Sequence, residues 1–104
     1  MTLEQLIEQI VTRPHMWVED GSFTAAAAFI SGYDWAVQSH LGLDRNGTEL
    51  GRFRAWLAQK AWEEDEFPRN LGWESYVKRG AIDDAAKFSM LLNLYSKFLS
   101  FNEN

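Results

Sequence analysis

Residues 22–41 read SFTAAAAFISGYDWAVQSHL, and the fold turns on how this stretch is read. Phe23, Ala26, Ala27, Ile30, Tyr33, Val37 and Leu41 recur at a spacing of three and four, which is the period of one helix face. Ala25, Phe29, Gly32 and Ala36 form a second apolar stripe on the same helix. A helix apolar on two sides is expected between neighbours. Gly32 in a helix interior costs roughly 1 kcal/mol relative to alanine, and a close helix–helix approach would account for it. Ser22 is placed to cap the helix. Trp35 falls off both stripes and is expected at least partly in solvent.

The flanking segments carry the same period. Thr2 and Gln5 fit a capping box, and Leu3, Leu6, Ile7, Ile10 and Val11 continue as a helix that ends near Thr12, because Pro14 disfavours helical geometry at Arg13. RPHMWVEDGS is a connecting loop with a turn at Asp20-Gly21. After a turn at Asn46-Gly47, Thr48 caps a third helix from Glu49 to about Glu63, with Leu50, Phe53, Trp56, Leu57 and Ala61 inward. A short helix is expected from Trp73 to Arg79, stopped by Gly80. Asp83 and Asp84 favour the N-terminus of a last helix. That helix carries Ala85, Phe88, Leu91, Leu92, Tyr95, Phe98 and Leu99, a face broad enough for a central position. No strand-like alternation competes with these patterns. The expectation is an all-α, compact, single-domain helical bundle over residues 1–104, with four main helices plus a short helix.

Composition limits the function. Apolar residues make up 46% of the 104 residues, enough for one core. The formal charge of −5 disfavours nucleic acid and anionic membranes as partners. There are no cysteines, which excludes disulfides, thiolate zinc and a thiol nucleophile. The N-terminal stretch MTLEQLIEQI lacks the basic and long apolar regions of a secretory leader, and no run approaches the length of a membrane span. A cytoplasmic location is the expectation.

The charged feature that stands out is AWEEDEFPRN, residues 61–70, in which Glu63, Glu64, Asp65 and Glu66 follow Trp62. Three readings are open: a solvated helix end, a surface for a basic partner, or a metal cage. Calcium loops alternate their ligands around a turn glycine, and this run does not. A carboxylate cluster does steer a basic partner toward encounter. Trp17, Glu19 and Asp20 form a second, weaker set of the same type. Aromatics in such places either pin loops onto the bundle or serve as interface anchors. His15 and His40 show no catalytic pairing, and no nucleophile elbow surrounds Ser22, Ser31 or Ser39. No enzyme, cofactor or metal is therefore expected.

Two stretches together resemble a group of small bacterial helical proteins. RPHMWVEDGSFTAAAAFISGYDWA is similar to their R-P-x-M-aromatic start, followed by a serine and an A-F-x-x-G-Y helix. FRAWLAQKAWEEDEFPRNLGWESYVKR is similar to their later F-x-x-W helix and G-W segment. This chain has His15 where the group commonly has glycine. Some members lie in toxin–immunity gene clusters, so the resemblance implies an immunity protein, of the contact-dependent growth-inhibition type, that binds and neutralises a cognate toxin domain, often a nuclease. Such a toxin would be basic, and an inhibitor could set carboxylates where phosphates would sit. The alternatives are a helical adaptor or regulator of another protein, and a small-ligand binder with a pocket in the bundle. A core without a polar-lined cavity would count against the last.

Overall fold

The structure, a computed structural model, describes residues 2–103 and is all-helical: α1 (Leu3–Thr12), a 3₁₀ turn (Pro14–Met16), α2 (Phe23–Leu41), α3 (Glu49–Asp65), α4 (Trp73–Gly80) and α5 (Asp84–Glu103). Side-chain caps set the starts of four helices. Thr2 and Gln5 close a reciprocal capping box at 3.2 and 2.9 Å. The Ala25 amide donates to Ser22 Oγ at 3.1 Å and the Gly51 amide to Thr48 Oγ1 at 3.0 Å. Each cap satisfies a backbone donor that the first helical turn leaves without a partner. At the start of α5, the Ala86 amide donates to Asp83 Oδ1 at 2.8 Å.

The helices close on one core, and α5 is its hub. It packs against α1, α2, α3 and α4, and Phe88, Leu91, Leu94, Tyr95 and Phe98 are buried along it. The centre is aromatic. Phe53 of α3 lies 5.2 Å from Tyr95, 5.6 Å from Phe98, 6.2 Å from Trp56 and 6.5 Å from Trp73, ring centre to ring centre. Phe23 of α2 joins this cluster through Trp73 and Phe88. The edge-to-face and tilted arrangements that dominate set positive ring edges against negative faces.

Three sequence expectations are corrected. First, α2 is not sandwiched. Its Phe23–Ile30 face is buried, but Phe29, Gly32 and Ala36 of the second stripe are exposed, and Leu41 of the first stripe is exposed as well. A Cβ on Gly32 would meet nothing within 4 Å, so no close helix approach explains this glycine. Gly32→Ala is therefore expected to stabilise the domain by about 0.5–1 kcal/mol, because the helix preference is gained and nothing is displaced. Urea unfolding followed by circular dichroism checks this. Second, α3 continues through the acidic run to Asp65 and stops at Glu66, which takes the left-handed conformation (φ 54, ψ 30). Third, Gly80 is the last residue of α4 and makes no left-handed cap; the chain leaves through extended Ala81. Trp35 is 68% exposed, as its position off both stripes implied.

Candidate functional site

The acidic run sits at the C-terminal end of α3, and the chain beyond it holds that end still. The Glu66 amide donates to the Trp62 carbonyl at 3.0 Å and the Phe67 amide to the Ala61 carbonyl at 3.2 Å. This pair of bonds closes a helix end around a left-handed residue, the position that glycine normally fills. Phe67 then turns into the core edge, 5.2 Å from the Tyr76 ring. Consecutive helical residues point about 100° apart, so the carboxylates splay around the helix end. Among the described residues no three His, Asp or Glu side chains converge to hold a metal ion.

Each acid has its own surroundings. Glu63 accepts from Gln59 at 2.6 Å, and Glu64 pairs with Lys60 at 2.6 Å, one turn back along the helix. Asp65 accepts from the Tyr76 hydroxyl at 2.6 Å, which ties α3 to α4. Burial first, and then the Asp65 carboxylate, push the Tyr76 hydroxyl up to about 12, so it stays a donor at physiological pH. Glu66 makes no side-chain hydrogen bond among the described residues. All four carboxylate residues are exposed. Trp62 beside them is 45% exposed, and the Arg69 guanidinium lies over its ring at 5.4 Å.

This placement opposes folding in two ways. The C-terminal end of a helix carries partial negative charge and favours cations, yet the last turn of α3 has no basic residue. A non-glycine residue in the left-handed region costs roughly 1–2 kcal/mol, and Glu66 is the one such residue among those described.

The second set, Trp17, Glu19 and Asp20, lies in the α1–α2 connection. Trp17 is half-buried, with its ring edge-on to Phe29 at 5.7 Å, so it pins the loop to α2. Asp20 is spent locally: its carboxylate accepts from the Ser22 amide at 3.0 Å, and that bond chiefly lowers its pKa. Glu19 is exposed. No hydrogen bond, ion pair or ring contact joins these three residues to the acidic run among the described residues. His15 lies flat against the turn: a Cβ on Gly21 would come within 2.6 Å of its ring.

Sequence reasoning passed over a polar-lined cleft of about 310 Å³ between the α2–α3 connection, α3 and the start of α4, with Arg45, Arg54 and Arg69 in its lining. The arginines are scattered through the chain without helical period, so no pattern in the sequence gathered them. Among the described residues no helix is long and apolar enough to cross a membrane. Comparison with protein-family models, with curated proteins and with solved structures finds no match to this chain.

Proposed function

We propose that this chain is an immunity protein that binds and neutralises a cognate bacterial toxin domain, docking the acidic end of α3 against a basic surface of the toxin. The observation that carries this reading is the exposure of four carboxylates at a helix end where they work against folding. Glu66, left-handed and without a side-chain hydrogen bond among the described residues, is the sharpest case, and residues that break local rules in this way mark places kept for another purpose. The end of α3 is held by the Tyr76–Asp65 bond and by the buried Phe67, so the charges are presented on a stiff support. Trp62 offers an aromatic anchor beside them. The resemblance of the R-P-x-M-aromatic start to toxin–immunity proteins supports the same reading. A basic toxin, such as a nuclease with its phosphate-binding surface, is the complementary partner.

The test is calorimetric titration of the chain with the toxin domain encoded beside it. Tight one-to-one binding is expected, and reversing Glu63, Glu64, Asp65 and Glu66 together to lysine is expected to weaken it at least tenfold. The reversal relieves the helix dipole but gives up the Tyr76–Asp65 bond and the Lys60–Glu64 pair, so circular dichroism must first verify that the variant is folded. Unchanged affinity in a folded variant removes the docking surface, and absence of binding by the parent removes the immunity role.

A second reading, a helical adaptor, is favoured by the outer face of α2. That face exposes Phe29, Trp35 and Ala36; the helix has one carboxylate, Asp34, which is buried, and its histidine, His40, lies in the last turn. If Trp35→Ala weakens toxin binding while the charge reversal does not, docking runs through α2 instead.

A further inference from the structure

We infer that the cleft between the α2–α3 connection, α3 and the start of α4 is a binding site for a small phosphate monoester with an apolar or aromatic body. Six arginines and four lysines are all the cations of a chain with net charge −5, and three of those arginines line this one cleft. No acidic residue lines it. The ion pairs among the described residues are all made by lysine, in Lys60–Glu64, Lys78–Glu74 and Lys87–Asp84. Arg45, Arg54 and Arg69 therefore make no ion pair among the described residues, and the carboxylate that acts on Arg54, Asp34, lies outside the cleft lining.

Their placement is specific. Arg54 projects from α3, is partly buried, and donates to the Arg45 carbonyl at 2.8 Å, which fixes its guanidinium at the cleft. Burial, and then the charge of Arg45, lower its pKa, while the buried Asp34 acts the other way. An anion in the cleft would relieve both penalties. Arg69, from the α3–α4 connection, is held by its stack on Trp62.

Backbone donors reinforce the arginines. Helix α4 begins at the cleft, with Gly72 and Trp73 in its lining. Gly72 stands at the N-cap and supplies no side-chain acceptor, and a Cβ there would meet nothing within 4 Å. The amides of the first turn are thus uncapped beside open space, an arrangement that favours phosphate. Glu74, the acid of that turn, is paired with Lys78. The rest of the lining is mixed: Leu57, Ala58 and the buried Phe67 and Trp73 give an apolar part for a ring, and Asn46, Asn70 and Tyr76 add polar groups. A single carboxylate is satisfied by one guanidinium fork, whereas several forks suit a doubly charged phosphate. The volume is at the lower limit of small-molecule pockets, roughly 300–1,000 Å³, which limits the ligand to one ring or a short chain beside its phosphate.

The experiment is calorimetric titration of the full chain with phenyl phosphate at neutral pH and low salt, with inorganic phosphate and benzoate alongside. Phenyl phosphate is expected to bind one-to-one, at least fivefold more tightly than either comparison ligand. Arg45→Gln with Arg69→Gln is expected to weaken it at least tenfold. Neither side chain donates a hydrogen bond in the described structure, so the fold should persist, and circular dichroism verifies that. Arg13→Gln with Lys97→Gln removes the same charge away from the cleft and is expected to change the affinity less than twofold. Three results would overturn the assignment: no saturable binding, equal loss in both double variants, or benzoate binding as tightly as phenyl phosphate. The titration is run on the parent chain without any toxin, so failure of toxin binding leaves its outcome unchanged.

Discussion

Phe53→Ala is expected to lower the stability of the domain by about 3–5 kcal/mol, the range for deleting a fully enclosed aromatic ring. Phe53 is fully buried and makes ring contacts with Trp56, Trp73, Tyr95 and Phe98. It thereby links α3 to α5 and to the start of α4. Its removal forfeits apolar burial and leaves a void among rigid rings, which cannot move inward as an aliphatic side chain would. Marginal stability is ordinary for a domain of this size, about 5–15 kcal/mol, so the variant should lose a large part of the total. Urea unfolding read by tryptophan fluorescence measures the loss. A shift under 1.5 kcal/mol would show that the cluster repacks and that the ring contacts do not determine the core. Phe53→Leu, which keeps most of the volume, should cost clearly less.

Gly51→Ala should destabilise by about 2–3 kcal/mol, near the upper end of the cost of forcing atoms into a filled site. In an open helix the same change would stabilise, so its sign is diagnostic. Gly51 is buried in the first turn of α3 beneath the α2–α3 connection, and an added Cβ would collide with the Arg45 carbonyl oxygen and with the Asn46 Cα. These are backbone atoms, and the Arg45 carbonyl is itself fixed by the Arg54 guanidinium. Relief requires the connection to lift off the helix, which would also disturb the arginine cleft. Thermal unfolding of Gly51→Ala beside Gly32→Ala gives opposite shifts if the two glycines occupy the environments described here. A stabilised Gly51→Ala would refute the close approach.

The helices were legible because local chemistry and tertiary burial agree in them. Thr2, Ser22 and Thr48 each cap where a short polar side chain precedes an apolar period, and α1 and α2 begin and end where those signals place them. The broad face of α5 marked the hub, and Leu50, Phe53, Leu57 and Ala61 of α3 face inward as their spacing indicates. The failures have a common cause: they depend on what lies across from a residue. The second stripe of α2 has the same apolar composition whether a neighbour covers it or not. Gly32 and Gly51 are alike in sequence, yet one faces open space and the other a carbonyl. Glu66 reads as a helix breaker only once Phe67 is seen to need the core, which demands a left-handed step just before it.

The candidate sites divide along the same line. A contiguous run such as Glu63 to Glu66 is visible to any reader of the chain, and its exposure follows from charge. That Asp20 is committed to a turn, and that Trp17 lies against Phe29, depend on loop geometry that the chain does not spell out. Arg45, Arg54 and Arg69 come from a connection, a helix and a second connection, and only the packing of α3 against α4 brings them to one cleft.

Helix α5 is synthesised after the four helices that lean on it. While the ribosome still shelters it in the exit tunnel, α1 to α4 lack the one helix that packs on all of them, and of their ring contacts Phe53 and Phe23 keep only those with Trp56 and Trp73. Nascent chains are therefore expected to stay open, and available to chaperones, until translation has passed the last aromatic turn. Folding then resembles the closing of a clasp more than the growth of a layer. A frameshift or stop codon upstream of Tyr95 would deprive all four earlier helices of their shared support at once.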